Sequence, residues 1–160
     1  MSAPAAPVPL PDAFGVFRDD GPLARVLSAT ARRAGSPAPV ALVLAGVLPL
    51  VVLAIALGDD APRGVAAGAL AWLVLLGGAS GCRTPAPTRR WAIPPLLRLG
   101  EYGALIWISA LDSAPALPAA FALLCVLAFR HYDLVYRFRH RGELPPAWVN
   151  TLTAGWDGRL

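Results

Sequence analysis

The sequence has no lysine; all 14 basic residues in its 160 are arginine. That bias is compositional, as expected of a GC-rich bacterial genome, and carries no mechanism. Cysteine is scarce: Cys82 and Cys125 form neither a disulfide framework nor a metal-ligand spacing, so both read as buried small apolar residues. Histidine is scarcer in effect. His131 and His140 have no carboxylate or second histidine at ligand spacing, which gives no metal centre and no cofactor. Only 15% of residues are charged, against about 25% in soluble domains. The segment Met1 to Pro11 lacks the basic start of a secretory signal. The net charge of +4 invites a nucleic-acid reading, but the arginines border apolar runs and no stacking aromatics accompany them on a polar sheet pattern. Nucleic acid is therefore excluded, and anionic lipid headgroups are the better partner.

What the chain does have is apolar mass, 56% of its residues, gathered into runs. Residues 1–18 are rich in Pro and Ala and are expected to be disordered. From 19 to 36, Asp19 or Asp20 can cap a helix with Pro22 in its first turn. Leu23, Val26, Leu27 and Ala31 line one face, and Arg25, Arg32 and Arg33 occupy much of the rest, which suits a helix lying on a membrane surface. Four crossings follow within 37–141, at about 39–57, 64–81, 95–111 and 117–138. The first is free of charge over a length close to the roughly 20 residues that span the hydrocarbon core. The second is rich in small residues, with Gly64 and Gly68, then Gly77 and Gly81, four apart, a spacing that lets backbones approach and allows a homo-oligomer. Short turns at Gly58 to Arg63 and Asp112 to Pro115 imply two antiparallel hairpins. Residues 142–160 follow as an interfacial segment with Trp148 and Trp156 at headgroup level, and with Asp157 and Arg159 able to fold back. The expected fold is an all-α polytopic membrane protein, with four transmembrane helices in two antiparallel hairpins plus an N-terminal interfacial amphipathic helix.

Thirteen arginines border one side of these crossings, and Arg63 alone lies on the other. The positive-inside rule then puts both termini in the cytoplasm of a multi-pass protein of the bacterial inner membrane.

The stretch from Phe129 to Arg141 joins the last apolar run to a crowd of charges. At helical periodicity Arg130, Asp133, Arg137 and Arg141 share a face, and Arg98, Glu101 and Tyr102 share one on the preceding helix. Glu101 and Arg130 both lie roughly 16 Å from the turn at Asp112, at 1.5 Å per residue. Two ion pairs are expected across the hairpin, Glu101 with Arg130 and Arg98 with Asp133. Such charges at membrane depth read either as a structural lock between helices or as a headgroup or ligand site. In the second reading Arg98, Arg130, Arg137 and Arg141 hold a phosphate, and His131 or Asp133 moves a proton.

Asp20-Gly21-Pro22-Leu23-Ala24-Arg25 matches the opening half of the CDP-alcohol phosphotransferase signature, but the acids that would complete its metal cluster are missing after Gly35. The half-match reads as chance or a helix cap. A broader likeness rests on Asp19-Asp20-Gly21-Pro22-Leu23, Glu101-Tyr102-Gly103, His131-Tyr132-Asp133-Leu134-Val135-Tyr136-Arg137, Pro145-Pro146 and Gly155-Trp156-Asp157-Gly158-Arg159. Together these resemble an uncharacterised bacterial membrane domain of unknown function that is often fused to, or encoded beside, a CDP-alcohol phosphotransferase. The resemblance implies a neighbourhood in phospholipid metabolism and no established activity. Three functions are carried forward: an accessory or interaction module for such a phosphotransferase; a lipid-handling enzyme with a cytoplasm-facing phosphate site on the third and fourth helices; and, disfavoured by the scarcity of polar residues on the first two helices, a small transporter.

Overall fold

A computed structural model describes residues 10–35, 38–83, 89, 91–112 and 116–160. The described residues form helices and no strand. In chain order they are α1 (Leu10–Arg18), α2 (Pro22–Arg33), α3 (Pro39–Leu57), a 3-10 turn (Gly58–Asp60), α4 (Arg63–Ala79), a second 3-10 turn (Ser80–Cys82), α5 (Ile93–Asp112), α6 (Ala116–Arg141), α7 (Ala147–Leu152) and the single turn α8 (Gly155–Gly158).

Three stretches are long and apolar enough to cross a membrane, Pro39–Asp60, Arg63–Cys82 and Ala116–Arg141. Helix α5 falls outside this set because Arg98, Glu101 and Asp112 dilute its apolar content. Helices α3 and α4 pack most extensively, with Leu42, Val43, Val47 and Leu50 of α3 and Ala66, Ala69 and Leu73 of α4 buried. Gly46 lets the Leu73 backbone come close, and Trp72 donates its indole N–H to the Ala45 carbonyl (3.0 Å). Helix α5 lies along α3: Gly100 faces Val47 and Leu73, and Trp107 donates to the Gly58 carbonyl (2.8 Å). Helix α6 stands outside this core. Of its span only 6% is buried, against 28% and 39% for the α3 and α4 spans, and it touches α5 and the end of α1.

Several expectations change. Residues Leu10–Arg18 are helical rather than disordered. The physical reason is tertiary, since Phe17 meets Phe138 edge-on (5.4 Å) and Phe14 packs on the core. Neither Asp19 nor Asp20 caps α2; its N-cap is Gly21. Cys82 is buried, but Cys125 is exposed, because it lies on the face of α6 that no helix covers. Gly64 and Gly68 have open space around them, whereas Gly77 and Gly81 do sit at close approaches. The partners there are Trp156 and Leu97 of α5 at Gly77, and Ser28 of α2 at Gly81. Trp148 is exposed, but Trp156, expected at the headgroups, is fully buried. The expected turn at 113–115 and most of the 84–90 loop, including Arg90, lie outside the described residues.

Candidate functional site

The polar centre of the molecule lies where the N-terminal and C-terminal segments meet the Gly77 end of the bundle. Helix α1 stops at Arg18, and Asp19, with φ of 55°, reverses the chain into α2. This junction is tight. A Cβ on Gly21 would fall 2.0 Å from the Ala154 carbonyl oxygen, and one on Gly155 2.1 Å from the Gly21 nitrogen. Only glycine at both positions lets the two backbones touch, and there the Trp156 N–H donates to the Asp19 carbonyl (3.0 Å).

Trp156 then enters a notch at Gly77, where its ring would meet any added Cβ at 2.8 Å, and its Nε1 donates to Asp20 Oδ1 (2.9 Å). Asp157 supplies what α2 lacks. Its carboxylate accepts from the Gly21 N–H (2.5 Å) and the Ala24 N–H (2.9 Å), an N-terminal cap delivered from the far end of the chain.

Asp19 is the hub, with its side chain 1% exposed. Arg130 donates to both of its oxygens (2.6 and 3.1 Å), and Arg159 donates through a terminal nitrogen (2.9 Å). Arg159 also donates its Nε to Glu101 (2.6 Å) and a terminal N–H to the Thr153 carbonyl (3.1 Å). Glu101, fully buried, accepts a further bond from Arg98, which in turn donates to the Arg18 carbonyl (2.8 Å). Arg18 holds Asp20 (2.8 Å) and reaches Ser80 Oγ (2.9 Å) and the Gly77 carbonyl (3.2 Å). The Tyr102 hydroxyl shares a 2.6 Å hydrogen bond with His131 Nδ1, and His131 Nε2 is buried 3.8 Å from Asp19 Oδ2.

Burial by itself would raise the Asp19 carboxyl, but the adjacent His131 ring and the Arg130 and Arg159 guanidiniums outweigh it and hold the group well below the usual carboxylate range. For Arg159 burial pulls the other way, and its bonds to Glu101 and Asp19 win, raising it above its ordinary value. Both shifts favour the charged forms of Asp19 and Arg159. The cluster's arginines 18, 98, 130 and 159 face the acids 19, 20, 101 and 157, four charges against four, so the group is neutral overall. Chemically this arrangement locks segments together. Its arginines are engaged by carboxylates, and its carboxylates by arginines or, for Asp157, by the N-terminus of α2.

Of the residues marked in the sequence, Arg98, Glu101, Arg130 and His131 do converge here. The expected pairing does not form. Glu101 binds Arg98 and Arg159 rather than Arg130, and Arg130 binds Asp19. Asp133 pairs with Arg137 one turn along α6 (2.7 Å) on the exposed surface, not with Arg98. The reason is that Asp19 and Arg159, from outside the long helices, insert between α5 and α6 and take the positions expected for the direct contacts. Arg141 lies about three turns beyond Arg130, at the exposed end of α6. Sequence reasoning missed Asp19 as hub and Arg18, Asp20 and Ser80 as members. The signal was present in Gly21 and Gly155, glycines within two residues of an acid, Asp20 and Asp157, near the two ends of the sequence.

No curated protein and no solved structure matches the chain. One family does, over residues 11–160, a range that takes in both halves of the junction, the α5 and α6 charges and the Trp156 plug. The chain belongs to this family, the family of unknown function DUF5941.

Proposed function

We propose that this chain is an accessory module of the bacterial inner membrane that positions or pairs with a phospholipid-forming CDP-alcohol phosphotransferase. The observation that carries the reading is the closed, charge-balanced cluster, in which the ionisable groups best placed for chemistry hold one another. The uncovered span of α6 supports it by leaving a long apolar face for lipid or a partner helix. The link to a phosphotransferase rests on the resemblance of the Asp19–Leu23, His131–Arg137 and Gly155–Arg159 segments described above.

In this reading α5 is a further crossing, giving four. It runs from Ile93 to Asp112, with Leu97 beside Gly77 of α4 and Trp107 reaching the Gly58 turn, and at 20 residues it is at least as long as α3 and α4. Its charges sit at one end, where they are paired. The arginine-rich end, with α1, α2, α7 and α8, faces the cytoplasm.

The test is co-purification from mild detergent, with identification of partners. A phosphotransferase retained by the full chain and lost on replacing outward α6 residues such as Phe121 and Phe129 supports the proposal. A purified protein that brings down no partner, and itself turns over a CDP-linked or lipid-linked substrate, sinks it. Reporters fused after Asp60 and after Leu160 check the orientation, the first external and the second cytoplasmic. The enzyme alternative, with a phosphate on Arg98, Arg130 and Arg137, requires the first two to leave buried carboxylates, a rearrangement that costs several kcal/mol for each charge left unpaired.

A further inference from the structure

The phosphate-binding surface expected at α5 and α6 is consumed by the cluster, which raises the question of where the chain's uncompensated positive charge lies. Helix α2 answers it. Its inward side is fixed: Ala24 and Ser28 are buried, Gly78 lies close enough that a Cβ there would meet Ala24 and Leu27, and Gly81 is similarly close to Ser28. These contacts hold α2 against the last turn of a membrane-crossing stretch, Arg63–Cys82, and so at the level where hydrocarbon gives way to headgroups. Its outward side carries Leu23 and Val26, 49% and 63% exposed, beside exposed Arg25, Arg32 and Arg33.

Arg25 donates its Nε to the Asp20 carbonyl (3.1 Å) and Arg32 its Nε to the Cys82 carbonyl (3.2 Å). Each bond steadies a guanidinium, and the second brings exposed Arg83 to the same edge. No acid occurs from Gly21 to Gly58 or from Gly64 to Gly100. The cluster beneath is neutral, so it does not offset these four arginines. Apolar side chains among cations on a helix lying at a membrane boundary match a lipid surface, whereas a nucleic-acid site gives no use to Leu23 and Val26.

We propose that the outward face of α2, together with Arg83, binds the phosphate groups of anionic phospholipids. The proposal rests on the membrane reading and is independent of the accessory role. Juxtamembrane cations each strengthen attachment to anionic lipid, so the four together should give a clear preference over zwitterionic lipid.

The experiment titrates phosphatidylglycerol or phosphatidylcholine into the detergent-purified full chain and reads lipid retention by native mass spectrometry, with thermal unfolding in lipid-free detergent as the folding control. The wild type should retain phosphatidylglycerol at least roughly tenfold better than phosphatidylcholine, and R25Q/R32Q/R33Q/R83Q should lose that preference with its unfolding little changed. If that variant fails to fold, R25K/R32K/R33K/R83K decides, because it keeps the charge and should keep the preference. The proposal is overturned if the glutamine variant folds and still prefers phosphatidylglycerol, if the lysine variant loses the preference, or if R137Q/R139Q/R141Q abolishes it instead. Equal protection by inorganic phosphate, or displacement of phosphatidylglycerol by a single-stranded oligonucleotide, also overturns it. Loss of a phosphotransferase partner in the pull-down would leave these lipid measurements untouched, so the two proposals fail separately.

Discussion

Asp19→Asn should be the most damaging single charge removal in the molecule. Its carboxylate accepts from two guanidiniums with 1% of the side chain exposed, so losing the charge takes this carboxylate from Arg130 and leaves Arg159 paired with Glu101 alone. Breaking a buried pair costs about 3–5 kcal/mol. Arg130 and Arg159 keep 22% and 11% exposure and can be partly rehydrated, which puts the loss at the lower end, ~3 kcal/mol. Arg130→Gln is milder, roughly 1.5–2 kcal/mol, because Arg159 still satisfies Asp19. The double variant should cost little more than Asp19→Asn alone, which leaves a coupling of about 1.5 kcal/mol or more. Equilibrium unfolding by SDS titration in mixed micelles, followed by far-UV circular dichroism, measures all four species. A coupling under ~0.5 kcal/mol, or an Arg130→Gln loss exceeding that of Asp19→Asn, refutes the hub. The Arg98 and Asp133 pair is the control and should be additive within ~0.5 kcal/mol.

Other expectations follow from the same base. Trp156→Ala should cost about 3–5 kcal/mol by the same titration, the range for emptying a fully buried aromatic site. Asp157→Asn weakens the cap of α2, so the Gly21 and Ala24 amides should exchange with deuterium faster, with a stability loss near 1 kcal/mol. Gly77→Ala should destabilise by roughly 1–3 kcal/mol, because the new methyl meets the buried Trp156 ring, whereas Gly68→Ala should be neutral or slightly stabilising in open space. The Asp19 carboxyl is depressed from its ordinary 3.8 in the fold, so its stabilisation is complete above that value and is lost as pH falls below it. The Asp19 contribution to the unfolding midpoint should therefore be constant above about pH 5 and drop below about pH 4, and Asp19→Asn should flatten that acid limb.

The helices were largely legible in advance because they follow from local pattern. The charge-free run from Pro39 to Leu57 is α3 to the residue, and the spacing of Leu23, Leu27 and Ala31 places α2. Helix α1 was hidden because Pro and Ala composition says nothing about Phe17 finding Phe138. At the site, Arg98, Glu101 and Arg130 stood out as ionisable groups in apolar helices, but their partners did not. Counting depth along two helices can only pair those two helices, and the real partners come from segments 111 and 58 residues away in sequence. Trp156 was misplaced for a related reason, since an aromatic beside polar residues reads as a headgroup anchor until the Gly77 notch that receives it is known.

The cap that Asp157 places on α2 joins residues 136 positions apart. Synthesis proceeds from the N-terminus at about 5–20 residues per second, so α2 and Asp19 are made and wait for several seconds while the long helices are completed. Through that interval the cap is absent and Arg130 has no Arg159 beside it on the hub. The last residues made are thus the ones that finish the first. A chain broken off before Trp156 would keep its long helices but leave their charged base unsealed, with Asp19 short of one guanidinium and α2 short of its cap.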